Sequence, residues 1–210
     1  MILSLFDLSG NWPAPYAGQG IPVLSCDIQK GVDVLSITPD WLASKGFLPD
    51  RIKGILAAPP CTEFTKAGAH LWPIKDATGR TASSVQLVRK TLEIISWCHG
   101  LAFWAIENPP GRLPALVPEL CRYSPWYFEP WHFGDPWTKK TGLWGRFNYP
   151  RKTPVAPSGS WVFRFSGGTQ HGKNQRSVTP PGFARAFALA NPIISSGTPD
   201  SAIEQSCMSW

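Results

Sequence analysis

Two short apolar runs end on paired prolines, and these four prolines limit the possible folds more than any other feature of the chain. Ile52 to Ala57 reads as a buried strand. Pro59 and Pro60 cannot donate ladder hydrogen bonds, so that strand stops and presents Cys61. A second apolar run from Phe103 closes on Glu107-Asn108-Pro109-Pro110. Residues 2 to 6 and 22 to 26 read as two further strands, with a short helix between them somewhere in 12 to 19. Short strands alternating with helical segments predict an α/β chain. In open α/β sheets ligands gather at the carboxyl edge. Cys61 then stands where a nucleophile is useful, and Glu107 where a carboxyl group can exchange a proton with a substrate. The alternative for Cys61 is a small buried thiol in a turn.

The first turn, Ser4 to Trp12, lies where a doubly wound fold brings backbone close to a ligand. Asp27 ends the second strand and is placed to accept hydrogen bonds from ribose hydroxyls; Asp33 follows in Gly31-Val32-Asp33-Val34. Either can instead be an ordinary turn aspartate. The stretch Lys66 to Arg80 is polar, basic and broken by glycines, so a loop carrying Lys66, Lys75 and Arg80 is expected. His70 stands alone in it and reads as structural. Val85, Leu87, Val88, Leu92 and Ile95 recur at helical spacing, predicting an amphipathic helix from Ala82 to Cys98 with Cys98 on its packed face. Pro114 to Cys121 reads as a short helix and Trp126 to Phe133 as a late strand. Thr179 before two prolines predicts a helix N-cap, and residues 193 to 210 a frayed tail.

A chain of 210 residues predicts one domain, spanning 1 to 192, with a substantial core. Eleven Trp within a 43% apolar composition exclude a disordered chain. No apolar run is long enough to span a bilayer, and the N-terminus reads as a first strand rather than a signal peptide. Five cysteines with no Cys-x-x-Cys pair argue against a disulfide framework or structural zinc, so no metal site is expected and a reducing, intracellular setting fits. Residues 1 to 135 hold 11 Lys and Arg against 12 Asp and Glu. Between Asp135 and Asp200 there is no acid, yet Lys139, Lys140, Arg146, Arg151, Lys152, Arg164, Lys173, Arg176 and Arg185 fall there. One-sided charge of this kind is a footprint for phosphate backbones, the alternative being a solvated basic face.

The Pro-Cys and Glu-Asn strand ends, in this order, resemble the cytosine-5 DNA methyltransferases, in which a Pro-Cys nucleophile follows the fourth strand and a Glu-Asn pair the fifth. The likeness runs over roughly residues 2 to 191 and is nearest to compact, phage-type members. It implies a Rossmann-like S-adenosylmethionine-dependent methyltransferase fold, a mixed, mostly parallel sheet with helices on both faces. It also implies cofactor contacts at Phe6, Asp7, Gly10 and Trp12, then Asp27 and Ile28, then Asp33, and at Pro59. The family's first loop usually reads Asp-Leu-Phe-x-Gly-x-Gly; here Ser4 stands at the acid and Leu8 at the first glycine. Phe133 to Thr141 falls at the family's Gly-x-Pro-Gln-x-Arg-x-Arg motif, with Lys139 and Thr141 at the arginines. Lys139 keeps the charge without the planar fork. Arg176 to Phe187 resembles the Arg-x-Leu-Thr-Pro element.

The implied catalytic set is Cys61, Glu107 and Lys139, with Lys66, Lys140, Arg164, Lys173 and Arg176 on DNA. Resemblance makes 66 to 80 a mobile loop closing over a flipped cytosine in duplex DNA. In place of the family's recognition domain stands a basic loop or hairpin over 146 to 175, with Trp161 to Phe165 as one candidate strand, so a protein partner could supply specificity. A positive charge such as Lys66, or a helix N-terminus after Thr62, is expected to lower the thiol pKa. Two other readings stay open: alkyl transfer to a free cytidine nucleotide, single-stranded DNA or RNA, and a catalytically silent DNA-binding descendant.

Overall fold

A computed structural model describes residues 1–165 and 169–193, the side chain of Val162 excepted. Six strands, β1 (Ile2–Leu5), β2 (Val23–Cys26), β3 (Gly54–Ala57), β4 (Phe103–Asn108), β5 (Trp126–Phe128) and β6 (Thr141–Arg146), form one sheet in the order β2-β1-β3-β4-β6-β5. β1 pairs in parallel with β2 and β3, and β3 with β4, while β6 runs antiparallel to both β4 and β5. Every residue of β1 and β3 is buried, as befits parallel strands covered on both faces. Alternate side chains feed two cores. Leu3, Leu5, Ile55, Ala57, Trp104 and Ile106 meet Leu42 of α2 (Pro39–Ser44) and Val85, Val88 and Ile94 of α4 (Arg80–Trp97). Ile2, Leu56, Phe103 and Ala105 meet Tyr16 of α1 (Ala14–Ala17) and Phe183 and Phe187 of α8 (Pro181–Ala190). Because β2 lies on one side of β1 and β3 on the other, the connections diverge between β1 and β3, the crevice where doubly wound sheets bind ligands. Among the described residues no helix is long and apolar enough to cross a membrane.

Several expectations need correction. The stretch from Lys66 to Arg80 is helical: a 3₁₀ segment over Lys66–Leu71 leads into α3 (Trp72–Ala77), whose Pro73 fits the first turn where no amide donor is required. Cys61 follows the third strand of the described chain and Glu107 lies at the end of the fourth, because 27 to 51 contains only helical segments where another strand was implied. The late strand stops at Phe128, since Pro130 opens a 3₁₀ turn over Pro130–Phe133, and a strand not anticipated, β6, follows. Trp161 to Phe165 is not a strand. Trp161–Arg164 forms α6, and Gln170–Ser177 forms α7, so 146 to 175 holds no hairpin among the described residues. The chain at Ser160 bridges Thr138 instead of a sheet strand, and the Trp161 indole donates to the Gln175 carbonyl, which holds the segment off the sheet. Thr179 is not a cap: Pro180 takes that position without a side-chain hydrogen bond, and the Thr179 carbonyl accepts from Asn11. The tail from 194 on, with Cys207, lies outside the described residues.

Candidate active site

β3 and β4 are adjacent and parallel, with Ala57 opposite Ile106, so their carboxyl ends release the two proline loops side by side. The loops are then bound together. Asn108, fully buried, donates from Nδ2 to the Pro59 carbonyl at 3.0 Å, and its Oδ1 is buried with no hydrogen-bond partner. Lys66 N–H donates to the Pro110 carbonyl and Arg112 N–H to the Phe64 carbonyl, at 3.3 and 2.9 Å. Gly111 is required where they cross, since a Cβ there would sit 2.0 Å from the Phe64 carbonyl oxygen. Cys61 heads a tight turn whose carbonyl accepts from Phe64 and Thr65 N–H, and the Phe64 ring is fully buried as its anchor. Behind the turn, buried Glu63 meets Lys75 at 3.4 Å and Arg80 at 2.8 Å. Arg112 grips Asp76 with two donors at 2.8 and 2.7 Å and lies over the Trp72 ring. Lys75 is thus structural rather than a free loop cation: its side chain is 3% exposed, and it also donates to the Thr62 carbonyl.

Cys61 is partly exposed beside Glu107, and Lys139 Nζ lies 3.8 Å from Glu107 Oε1. Burial pushes the Cys61 thiol above its ordinary range, and the Glu107 carboxylate pushes the same way. Lys139, the Cys61 backbone N–H and Arg176 of α7 oppose the rise without cancelling it. The expectation of a lowered thiol is therefore reversed, and the cations that act on it are Lys139 and Arg176. The backbone of Lys139 is clamped on both sides. Its N–H donates to Glu129 Oε2 at 2.7 Å and its carbonyl accepts from Thr141 Oγ1 at 2.9 Å.

At the neighbouring crevice, Asp7 organises the first loop from within. Its carboxylate accepts from Ser4 Oγ at 2.7 Å, Ser9 Oγ at 3.3 Å and Gly10 N–H at 2.7 Å. Lys30 Nζ reaches the Asp7 carbonyl at 2.9 Å. Phe6 adopts φ 57°, a left-handed conformation that costs a non-glycine residue about 1–2 kcal/mol and is typical of ligand clamps. Asp27 caps a 3₁₀ turn through Gln29 N–H at 2.8 Å, and Asp33 caps another through Leu35 N–H at 2.9 Å. Each cap uses Oδ1. Ile28, beside Asp27, is 68% exposed. The strained Phe6 loop and a carboxylate next to an uncovered apolar side chain are groups that could hold the adenosyl and ribose parts of S-adenosylmethionine, whereas Pro59 is buried with its carbonyl taken by Asn108. Trp12 lies away from solvent, 2% exposed, packed on Phe183 and Phe187.

The expected nucleic-acid residues divide. Arg176 sits near Cys61 and donates to the Phe165 carbonyl. Lys173 is exposed on the same helix, α7, which is tied to the turn after β2 by a reciprocal amide pair between Gln29 and Asn174, 3.2 and 3.0 Å. Lys140 lies over Tyr127, Arg164 over Trp137, and Lys66 is exposed at the start of its 3₁₀ segment. Asn108, Glu129 and Arg112 carry positioning work that the sequence reading did not assign. Only Asn108 had a visible signal, since it directly precedes the second proline pair. Among the described residues no cluster of three or more His, Cys, Asp or Glu could hold a metal ion.

No protein-family profile matches the sequence, and no curated protein matches it. Among solved structures, the chain is similar to an E. coli prophage-encoded protein assigned as a DNA modification methyltransferase, at 17% identity and TM-score 0.51, over 80% of this chain and 55% of that one. Two others are an Entamoeba histolytica methyltransferase, EhMeth (14%, TM-score 0.45, 80% and 60%), and the S. pombe Dnmt2 methyltransferase (16%, TM-score 0.41, 79% and 53%). The chain spans between about half and three-fifths of the length of these structures. The first likeness is one of architecture: the chain has the Rossmann-like α/β fold of S-adenosylmethionine-dependent methyltransferases.

Proposed function

We propose that this chain transfers a methyl group from S-adenosylmethionine to carbon-5 of cytosine in DNA. The observation that carries the reading is the meeting of Cys61, Glu107 and Lys139 at one strand edge, next to the crevice bordered by Phe6 and Asp27. S-adenosylmethionine supplies an electrophilic methyl group when bound. Cys61 forms a bond to cytosine carbon-6, and Glu107 delivers a proton to ring nitrogen-3, so carbon-5 gains the electron density it lacks in the free base. The thiol proton leaves Cys61 as that bond forms and Glu107 can relay it. After alkylation, the carbon-5 proton passes to water or hydroxide, Cys61 leaves as the thiolate, and the nitrogen-3 proton returns to the Glu107 carboxylate, which restores the ring. Because burial keeps the thiol raised, its proton is lost in concert with bond formation to carbon-6, and Lys139 and Arg176 are the cations that favour the thiolate. The basic segment from Lys139 to Arg185 binds phosphates and offsets the cost of extruding the base.

Incubating the protein with duplex DNA and methyl-labelled S-adenosylmethionine tests this. Label on cytosine, abolished in Cys61→Ala, is expected; no label, or undiminished label in the variant, refutes it. A second reading, transfer to single-stranded DNA, is favoured by one observation: the described residues between β6 and α6 form no recognition domain. Comparing duplex with single strands in the same assay separates the two.

A further inference from the structure

Away from Cys61, two cavities of about 260 and 220 Å³ share a wall made of Trp137 and Trp161. The larger is completed by Ser158, Gly159, Ser160 and Arg164. Its two indoles are fixed by backbone. Thr138 N–H donates to the Gly159 carbonyl at 2.8 Å and Trp161 N–H to the Thr138 carbonyl at 3.1 Å, a parallel bridge between Thr138 and Ser160. Trp161 Nε1 donates to the Gln175 carbonyl at 2.9 Å, so the ring's polar edge is satisfied from behind. The ring planes are inclined at 42° with centroids 5.0 Å apart, so the two indoles pack on each other and form one inclined aromatic wall of the cavity. Gly159 opens the space further, as a Cβ there would meet nothing within 4 Å. The exposed Arg164 guanidinium stands 5.9 Å from the Trp137 ring centroid.

Two rigid indoles, a cation and small hydroxyl residues, with no carboxylate in the lining, suit a flat, electron-rich ring better than an aliphatic or cationic guest. All the charges that the chain holds from Lys139 to Arg185 are positive, so a strand of nucleic acid is the carrier that the surroundings favour. We infer that the aromatic wall made by Trp137 and Trp161, with Arg164 beside it, is a stacking surface for one unpaired base of a DNA strand, a base other than the cytosine that meets Cys61. Trp137 lies two residues before Lys139, so the same turn of chain serves both places. The inference rests on the DNA part of the proposed function and is independent of methyl transfer. Such a site reads the presence of a base rather than its identity, because every base has a stacking face.

The test uses the full chain and a short, fluorescently labelled single-stranded oligonucleotide with one cytosine. Each other nucleotide is replaced in turn by an abasic one, and binding is followed by anisotropy. One position beside the cytosine should lose about tenfold in affinity on the wild-type protein when its base is removed. That penalty should fall to under about twofold in Trp161→Ala and in the double variant Trp137→Ala with Arg164→Met, which leaves the Trp161 anchor intact. The inference is overturned if no oligonucleotide binds, if no abasic position outside the cytosine matters, or if the penalty persists in both folded variants. Label transfer measured on the same wild-type preparation keeps the two readings apart. An abasic penalty without methylation retains the stacking site and removes the enzyme; methylation without a penalty does the reverse.

Discussion

Replacing Gly111 by alanine should force apart the two loops that present the reactive pair. The added Cβ would lie 2.0 Å from the Phe64 carbonyl oxygen and 2.7 Å from its carbon, where real contacts essentially never fall below 3.0 Å, so a shift of about 1 Å is required. The obstacle is backbone, and no rotamer change relieves it. Phe64 cannot yield alone: its ring is fully buried and its N–H is bonded to the Cys61 carbonyl at 2.9 Å, so the turn moves as a unit. Overpacking of this kind costs about 1–3 kcal/mol, a drop of roughly 2–10 °C in Tm for a chain of this size. Displacing a reacting group by ~1 Å costs on the order of 100-fold in rate. Label transfer to DNA and a thermal melt, run side by side on Gly111→Ala and on Gly18→Ala, measure both effects. Gly18 is the control because its Cβ would meet only the Ala14 and Pro15 carbonyl oxygens, at 3.5 and 3.7 Å. A Gly111→Ala protein that melts with the wild type and turns over within a few-fold of it refutes the coupling of the loops.

Four further outcomes follow from the same geometry. Because Glu107 raises the Cys61 thiol and Lys139 lowers it, the pH profile of Cys61 alkylation, followed by peptide mass spectrometry, should move to lower pH in Glu107→Gln and to higher pH in Lys139→Met; shifts of the opposite sign would remove the electrostatic account. Glu129→Ala frees the Lys139 amide and should move the profile in the same direction as Lys139→Met, by a smaller amount; no movement would deny Glu129 its positioning role. Lys75→Met leaves buried Glu63 with only Arg80, whose side chain is 58% exposed, and should cost about 3 kcal/mol in denaturant unfolding; an unchanged midpoint would contradict the pairing. Burial pushes Cys26 to about 12 and Cys98 to about 11, so both should stay unalkylated in the folded protein at a pH near ~8.5 where free thiols react; labelling of either under native conditions would show that its core opens.

The fold was legible in the sequence where local chemistry admits one answer. Paired prolines must end a strand, and the stripe Val85, Val88, Leu92, Ile95 must bury one helical face, so β3, β4 and α4 lie close to where the pattern puts them. Cys61 and Glu107 could be named because strand ends are marked, and adjacent parallel strands then place them together. Sequence failed where tertiary contacts choose between conformers. Lys75 looks like a solvated loop cation until Glu63 and the Thr62 carbonyl are seen to draw it inward. Trp161 to Phe165 carries strand-forming residues, yet the chain at Ser160 bridges Thr138 and the Trp161 indole is anchored on Gln175. Asp27 and Asp33 act as caps in the structure, and this role coexists with ligand contact because each cap engages one carboxylate oxygen.

The least legible element is the one that completes the site. β6 is the single strand that runs against the others, so its amino end, rather than its carboxyl end, lies beside the carboxyl end of β4, with Gly142 opposite Asn108. Residues just before β6 are thereby delivered to the edge where Cys61 and Glu107 stand, and Lys139, two positions ahead of Thr141, arrives with its charge. A parallel strand at this place would deliver whatever follows Arg146 instead. The reversal has a further effect, because β6 opens the stretch of chain that carries no acid before Asp200. One inverted strand therefore brings the start of the basic segment to the reactive pair, and a substitution that disturbs β6 pairing, such as Gly145→Val against the Trp104 carbonyl, should withdraw Lys139 and move the pH profile of Cys61 alkylation upward, as Lys139→Met does; an unmoved profile would show that β6 does not place Lys139.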